Sequence, residues 1–346
     1  MKLYPLLFEP NLHPVVWGGN RLRLYKGLEP TDTPIGESWE VSAVPSSVSV
    51  IGNGELAGHD LVSVINSAPE EILGREVARR YGNRLPLLVK FIDAKRDLSI
   101  QVHPNDEMAR RCHGKSGKTE MWYVIDAQPG SFLYAGFKSQ ISPYEYRKRV
   151  QDGSIVDVLA RHEVKAGDVF FIPAGRVHAI CGGILLAEVQ QSSDVTYRIF
   201  DYNRLGMDGK PRELHTELAA EAIDYEVQHE YRTDYVEEEN RSTHLIDSDY
   251  FNVRVTELSR PFHRNLIKYD SFIITMCISG DCMIKVRSTG DEVLLKSGNS
   301  CLMPAAIADF DVIPQTGTTQ LLDAFIDNKD RSIGRMVTRF LHITKK

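Results

Sequence analysis

The chain of 346 residues is 42% hydrophobic and 25% charged, a composition typical of a globular protein with one large core or two moderate ones. Its net charge of −6 and pI near 6.0 argue against a general nucleic-acid or anionic-membrane surface. No apolar run is long enough to cross a bilayer and no signal peptide is evident, so we expect a cytoplasmic protein. The five cysteines form no CxxC pair, which is typical of reduced thiols.

Short runs of β-branched and aromatic residues, separated by Gly, Pro and Asp, dominate the chain and predict the strands of a sandwich or small barrel. Helical patterns are fewer, and they predict helices at about 60–81, 142–161 and 213–223. Pro69 should divide the first of these into two helices, because proline disfavours a helical conformation in the residue before it. The fold class predicted is therefore mainly β.

A weak internal repeat indicates two related β units. The segment "VKAGDVFFIPAGRVHA" (164–179) aligns without a gap with "LKSGNSCLMPAAIADF" (295–310). Gly167 and Pro173 coincide with Gly298 and Pro304, but Asp309 takes the place of His178. The chemistry is therefore expected in the first unit, and the second is expected to give structural support.

The repeat predicts two domains. Residues 1–240 should form a catalytic, metal-binding half with helical segments, and residues 241–346 a degenerate half without metal ligands. The charged segment 225–246 is interpreted as a solvated connection between them.

Four scattered residues of the first half have the chemistry of a metal site. "GDVFFIPAGRVH" fits the second cupin motif and ends in His178, so each half is predicted to be a cupin-like jelly-roll barrel. Strand alternation places Gln101 and His103 on one face of "QVH", and Lys118 and Glu120 on one face of "KTE". Two imidazoles, a carboxylate and an amide oxygen can surround a divalent ion and leave a position for substrate. A buried histidine taken alone is more often a hydrogen-bonded core residue, so the prediction depends on the elements occurring together.

A second set of charged residues should lie beside the metal. In "AEVQQSSDVTYRIFDYNR", Asp194 and Arg198 share the parity of Glu188, and Lys118 and Lys90 should face the same space. Cations that converge on a metal in an acidic protein suggest an anionic substrate such as a sugar phosphate. The alternatives are a structural Arg–Asp pair and a lysine whose stem is buried while its ammonium reaches the rim.

The motifs "KFIDAKRDLSIQVHPND", "GKTEMWYV", "PAGRVHAI" and "EVQQSSDVTYRIFDYNR" resemble those of the type I mannose-6-phosphate isomerases of the cupin superfamily. "VWGGNRL" and "GESWEVS" near the start do so too, and the resemblance is strongest to the short bacterial form, over residues 5 to 215. It implies an enzyme with one Zn²⁺ per chain that interconverts mannose 6-phosphate and fructose 6-phosphate through a cis-enediol. The zinc ligands of the family fall on Gln101, His103, Glu120 and His178.

The resemblance also implies roles for other residues. Arg198 matches an essential arginine, Lys118 and Asp194 match residues that act on the substrate, and Ser99 matches a serine at the pocket floor. Ser99 is therefore predicted to bind substrate, as are Lys90 and Glu188, which the charge pattern indicates. The general base stays open: Asp194 and His103 are the candidate side chains, and Asp194 or a metal-bound water is favoured because a metal-bound histidine is a poor base.

Three alternative functions stay open. His103, Glu120 and His178 also satisfy the two-histidine, one-carboxylate triad of iron oxygenases. A non-catalytic sugar-binding cupin and an isomerase of another sugar phosphate are the other two. In each case the expected partner is a small molecule, with neither nucleic acid nor membrane, and the chain is expected to be a monomer or homodimer.

Overall fold

The computed structural model describes residues 1–327, which contain 21 strands and seven α-helices. The strands of the N-terminal part are β1 (Leu6–Leu7), β2 (Leu12–Gly19), β3 (Ile35–Val41), β4 (Leu87–Ala94), β5 (Ile100–Val102), β6 (Glu120–Ala127), β7 (Phe132–Phe137), β8 (Leu159–Glu163), β9 (Val169–Ile172), β10 (His178–Ile180), β11 (Ile184–Gln191) and β12 (Tyr197–Phe200). Those that follow are β13 (Arg241–Asp247), β14 (Asn252–Leu258), β15 (Phe262–Asn265), β16 (Ile273–Ser279), β17 (Cys282–Val286), β18 (Glu292–Leu295), β19 (Ser300–Met303), β20 (Asp309–Pro314) and β21 (Thr319–Phe325). The helices are α1 (Arg21–Tyr25), α2 (Leu61–Ser67), α3 (Pro69–Leu73), α4 (Arg75–Tyr81), α5 (Asp106–His113), α6 (Pro143–Asp152) and α7 (Thr216–Ala222).

The first barrel is a pair of facing sheets. A six-stranded sheet runs in the order β2-β3-β4-β11-β6-β9, and a five-stranded sheet in the order β12-β5-β10-β7-β8. Their inner faces meet in an apolar cluster that includes Trp122, Phe170 and Ile180. Helices α5, α6 and α7 accompany the five-stranded sheet, whose outer face buries Ile100 and Tyr197. The polar inner residues therefore lie on a framework that is packed on both sides.

The second barrel repeats this plan and packs on the first. Its sheets run β1-β19-β16-β21-β14-β13 and β15-β20-β17-β18. One continuous core joins Phe91 and Met121 on the outer face of the six-stranded sheet of the first barrel to Phe251, Ile274 and Leu322 of the second. The mainly β, two-barrel fold predicted from the sequence is thus confirmed.

The domain boundary at residue 240 stays a prediction. Strand β13 begins at Arg241, but β1 near the N-terminus pairs with β19 of the second barrel. Part of the predicted second half, residues 328–346, lies outside the described residues. The segment 225–246 is not simply solvated, because Tyr231 is buried and its hydroxyl donates to the carbonyl oxygen of Phe137 at 3.0 Å.

The predicted helices are shorter than their patterns suggest. Pro69 begins α3 as expected, but Gly74 (φ 94°) adds a second break, so 60–81 contains three helices. Over 142–161 the helix ends at Gly153, which has a φ of 79° that favours glycine, and a strand begins at Leu159. Helix α7 lies within 213–223, whereas α1 and α5 were not predicted.

Candidate metal centre

Three strands of the first barrel bring together two imidazoles and a carboxylate. His103 follows β5 directly, Glu120 begins β6 and His178 begins β10. Nε2 of His103 lies 3.3 Å from Oε2 of Glu120, and Nε2 of His178 lies 3.3 Å from Oε1. All three side chains are buried, and one potential ligand atom from each lies within 4.8 Å of the others. Among residues 1–327 no other group of His, Cys, Asp or Glu meets that criterion.

Backbone carbonyls determine which imidazole nitrogen faces the carboxylate. Nδ1 of His103 donates to the carbonyl oxygen of Val195 at 3.1 Å, and Nδ1 of His178 to that of Arg176 at 2.8 Å. Because a carbonyl oxygen only accepts, each Nδ1 carries the proton and each Nε2 presents a lone pair.

Those lone pairs face a carboxylate that accepts no well-aligned hydrogen bond from residues 1–327, although Lys118 forms an ion pair with one of its oxygens. Within the described chain, neither oxygen of Glu120 nor Nε2 of His103 has a hydrogen-bond partner, although all three atoms are buried. Lone pairs and carboxylate oxygens repel one another unless a cation lies between them. Metal-binding histidines are commonly oriented in this way by a carbonyl that accepts from the second ring nitrogen. The residues therefore fit a metal ion.

The protonation states at the site are those that a metal requires. Burial, and then the positive charge of Lys118, lower the pKa of His103 to about 3, and burial also lowers the pKa of His178. Burial alone would raise the pKa of Glu120, but Lys118 and the imidazoles hold it well below its usual range. Neutral imidazoles and an ionised carboxylate are the forms that bind divalent cations.

Gln101 and Lys118 flank this group. Gln101 of β5 is opposite His178 of β10 on one side and Arg198 of β12 on the other, so the three share the inner face of the sheet. Its amide nitrogen lies 3.2 Å from Nε2 of His178 and therefore donates to that ring. Only rotation of the amide by a half turn would present an oxygen, so Gln101 as a fourth ligand stays a prediction. The ammonium of Lys118 is 3.2 Å from Oε2 of Glu120.

Buried charges of alternating sign line the six-stranded sheet beside the site. Nζ of Lys90 lies 3.4 Å from Oε1 of Glu188 and 3.4 Å from Oε2 of Glu37, while Nε1 of Trp122 donates to Glu188 at 3.0 Å. Burial opposes the charge of Lys90, but Glu37 and Glu188 raise its pKa above the usual value. The structure thus brings together Lys90 and Glu188, the two predicted from their charge.

Arg198 lies among other guanidinium groups. Its Nη1 donates to the carbonyl oxygen of Glu213 at 2.8 Å, and its buried Nε has no hydrogen-bond partner in residues 1–327. Arg204 and Arg212 both bind Asp201, at 2.7 and 2.5 Å. Burial, and then the charge of Arg212, lower the pKa of Arg198. Two guanidinium groups share the carboxylate of Asp201, and Arg198 beside them forms no ion pair with a carboxylate in residues 1–327, which leaves an excess of positive charge.

Asp194 is exposed to solvent, whereas Ser99 is buried. Oδ1 of Asp194 accepts from Nζ of Lys115 at 2.6 Å in a partly exposed ion pair. Strand β12 begins only at Tyr197, so Asp194 lies on a loop, and the shared strand face expected for it and Arg198 was wrong. Ser99 is buried immediately before β5. Both assignments stay predictions.

Comparison with known proteins identifies the family. Residues 6–127 match a sequence model of the catalytic domain of type I phosphomannose isomerase, and residues 240–323 match the cupin domain of mannose-6-phosphate isomerase. The mannose-6-phosphate isomerase ManA of Bacillus subtilis is 36% identical over 314 residues, 90% of this chain and 96% of that protein. The chain belongs to the type I mannose-6-phosphate isomerases. The probable mannose-6-phosphate isomerase GmuF of the same organism is 35% identical over 89% of this chain and 96% of its own length.

Solved structures agree with this family assignment. The crystal structure of the mannose 6-phosphate isomerase from Bacillus subtilis matches with a TM-score of 0.84 and 32% identity, over 93% of this chain and 99% of that one. A putative mannosephosphate isomerase from Archaeoglobus fulgidus matches with a TM-score of 0.75 at 24% identity, a likeness that concerns the fold. As a type I mannose-6-phosphate isomerase the chain is an isomerase, which the sequence motifs predicted.

Two residues beside Lys90 were missed by the sequence analysis. Glu37 approaches Lys90, and Nε1 of Trp39 donates to Oε2 of Glu37 at 2.6 Å. Both belong to "GESWEVS", which was noted only for its resemblance to the family. Pairing of β3 with β4, which puts them beside Lys90, is a long-range contact that strand alternation alone does not reveal.

None of the helices in residues 1–327 combines the length and apolar character that a bilayer crossing needs.

Proposed function

We propose that the chain interconverts mannose 6-phosphate and fructose 6-phosphate through a cis-enediol, with Zn²⁺ held by His103, Glu120 and His178. One observation carries the proposal. The buried carboxylate of Glu120 faces two imidazole nitrogens that do not donate to it, and Lys118 approaches only one of its oxygens, at 3.2 Å, so Oε1 of Glu120 and Nε2 of His103 are left without a partner in the described residues. These lone pairs and the carboxylate need a cation between them. The reaction is proposed from membership of the family.

Nitrogen and carboxylate ligands suit zinc, and three protein ligands leave a position free for the substrate, as in catalytic zinc sites. When bound, the ion supplies Lewis-acid polarisation of the substrate oxygens. Gln101 would be a fourth ligand if its amide oxygen turned toward the ion. A small sugar fits the interior of a barrel of this size.

The charge distribution supports an anionic substrate. Arg204 and Arg212 share the carboxylate of Asp201, and Nε of the neighbouring Arg198 has no hydrogen-bond partner in residues 1–327. A phosphate would supply acceptor oxygens and balance the excess charge, since guanidinium groups bind phosphate in a fixed geometry. Arg198 is therefore assigned to the phosphate end of the substrate.

Lys118 is assigned to the reacting end. Its ammonium lies 3.2 Å from Oε2 of Glu120, so it reaches the space next to the metal ligands. Negative charge develops on the substrate oxygens as the enediol forms, and a cation fixed nearby stabilises it. Lys90 and Glu188 lie on the adjacent wall of the site, where they would contact hydroxyl groups of the sugar. Ser99 is proposed to bind the substrate at the floor of the pocket.

Proton transfer between the two carbons of the substrate needs a base, and Asp194 stays our proposal for it. Such a base typically contributes about 10²- to 10⁴-fold. The ion pair with Lys115 at 2.6 Å would have to open for Asp194 to accept a proton. Asp194→Asn tests this assignment, because full turnover in that variant would assign the base elsewhere.

Arg198→Ala tests the proposed function. In a coupled assay on mannose 6-phosphate we expect turnover to fall by roughly 10²-fold with the zinc content unchanged, because loss of the phosphate contact misplaces the sugar while the zinc ligands stay. Arg147→Ala removes an arginine that pairs with Glu217 on the surface and serves as control. Wild-type turnover of Arg198→Ala would remove Arg198 from the mechanism. Oxygen consumption without isomerisation in the wild type would instead favour an iron oxygenase.

A further inference from the structure

Strand β3 has one face toward the site and the other toward the second barrel. On the inner face Glu37 and Trp39 reach Lys90, whose Nζ lies 3.4 Å from Oε2 of Glu37 and 4.9 Å from the centre of the Trp39 ring. On the outer face Ser38 and Glu40 are buried and bind each other, with 2.5 Å between Oγ and Oε1.

Glu40 is the extra residue of a β-bulge. Trp39 is opposite Lys90 and Val41 is opposite Val89, so two residues of β3 advance where β4 advances by one, and Glu40 is left over. Glu40 and Val41 consequently both lie on the outer face, whereas regular alternation would put them on opposite faces. Bulges of this kind often re-aim side chains beside active sites.

Lys26 after α1 and Ser300 of the second barrel bind the carboxylate of this bulge residue, and Lys26 also contacts the second barrel. Nζ of Lys26 lies 2.7 Å from Oε1 of Glu40 and also donates to the carbonyl oxygen of Gly298 at 2.6 Å. Oγ of Ser300, at the start of β19, donates to Oε2 of Glu40 at 3.2 Å. The side chains of Lys26 and Glu40 are only 3% and 5% exposed.

A buried ion pair is a costly way to hold a bulge at the contact between two barrels that already share an apolar core. Replacing such pairs by hydrophobic residues is often neutral or stabilising, and their best-attested use is to fix one register among several. The register at stake here is that of β3, since a one-residue slip would exchange its two faces.

We propose that Glu40 is a positioning residue, through which Lys26 and Ser300 of the interbarrel contact fix the bulge that aims Glu37 and Trp39 at Lys90. The second barrel, which lacks metal ligands in its described part, thereby sets the geometry of one wall of the active site. The kinetic part of the inference rests on the proposed isomerase function, and the structural part does not.

Glu40→Gln tests the proposal, with Asp323→Asn as the matched control. Asp323 is a buried carboxylate that binds Arg264 and Thr275 inside the second barrel, away from β3. Both changes should lower the melting temperature. Only Glu40→Gln should also lower kcat on mannose 6-phosphate, by roughly ten- to a hundredfold with zinc retained, because misplacement by about 1 Å can reduce the rate to that extent.

Fluorotryptophan labelling gives a readout that does not depend on turnover. The chain has three tryptophans, and we expect the ¹⁹F resonance of Trp39 to shift in Glu40→Gln but not in Asp323→Asn. If Glu40→Gln does not fold, Ser300→Ala removes one hydrogen bond to the same carboxylate, and the same two effects are expected at smaller size.

The outcomes separate the two proposals. An unmoved Trp39 resonance in the folded variant, or equal losses of kcat in Glu40→Gln and Asp323→Asn, would overturn the positioning role. An inactive wild type whose Trp39 resonance still shifts in Glu40→Gln would overturn the proposed substrate and leave the positioning role supported.

Discussion

Glu120 is the residue on which the chemistry of the site depends. Its carboxylate is fully buried and ionised, and the only lysine or arginine that forms an ion pair with it among the described residues is Lys118, at 3.2 Å. A buried charge of this kind is retained in proteins when it is paired or coordinates a metal. A divalent ion would bind this carboxylate together with the imidazole nitrogens of His103 and His178.

Removal of that charge should therefore release the ion. Glu120→Gln keeps the size of the side chain but loses the anionic ligand. Loss of a residue that only contacts a ligand already lowers metal affinity by about tenfold or more, so we expect zinc affinity to fall by at least about tenfold. Zinc per chain after dialysis is the measurement, and Glu163→Gln, on the exposed side of β8, is the control. Undiminished zinc in Glu120→Gln would contradict the assignment.

His103 predicts a pH dependence in the metal-free protein. Its pKa is lowered from 6.5 to about 3 in the fold, so between those values the unfolded chain binds more protons than the native one. The free energy of unfolding should be highest above pH 6.5 and should decrease as the pH falls, by at most about 1.4 kcal/mol per pH unit for this group. Urea unfolding of the zinc-free wild type and of His103→Gln at several pH values measures this dependence. If the free energy of unfolding changed equally with pH in the two proteins, His103 would not be buried in neutral form.

The loop before β6 decides where Lys118 lies. A Cβ atom at Gly117 would be 2.5 Å from the backbone nitrogen of Asp106 and 2.6 Å from the carbonyl carbon of Asn105, at the start of α5. Gly117→Ala should therefore displace the loop, and we expect turnover to fall roughly tenfold with zinc retained, since small misplacements reduce rates strongly.

A second glycine of the same loop provides the control. Gly114 has a φ of +65° and open space around it, so Gly114→Ala costs about 1 kcal/mol of backbone strain without displacing a neighbour. Its melting temperature should fall while its kcat stays at the wild-type value. Equal kcat values for the two variants would mean that loop position does not control Lys118.

Elements with a regular period were predictable from the sequence, and irregular ones were not. Strand alternation placed Gln101 and His103 on one face, and the structure has them on the inner face of the five-stranded sheet. Regular alternation does not extend to Leu98, which precedes β5 and packs inside the barrel, whereas Ile100 packs on the outer face of the sheet. The bulge at Glu40 likewise exchanges the parity of β3, and Gly153 ends α6 within an otherwise helical pattern.

At the scale of the whole molecule, the internal repeat indicated two barrels with chemistry in the first. Asp309 begins β20 of the second barrel, as His178 begins β10 of the first, and it binds His263 on the surface rather than a metal group. What the sequence did not reveal is how the barrels meet. That contact depends on residues far apart in the chain, such as Lys26 and Gly298, whose proximity no local pattern reports.

The central claim is that a single divalent ion in the first barrel is required for isomerisation. The most direct test removes all metal from the purified protein and adds zinc back in steps while the turnover of mannose 6-phosphate is followed. We expect no turnover without metal and a linear recovery that ends at one zinc ion per chain. Full turnover by the metal-free protein would contradict the account.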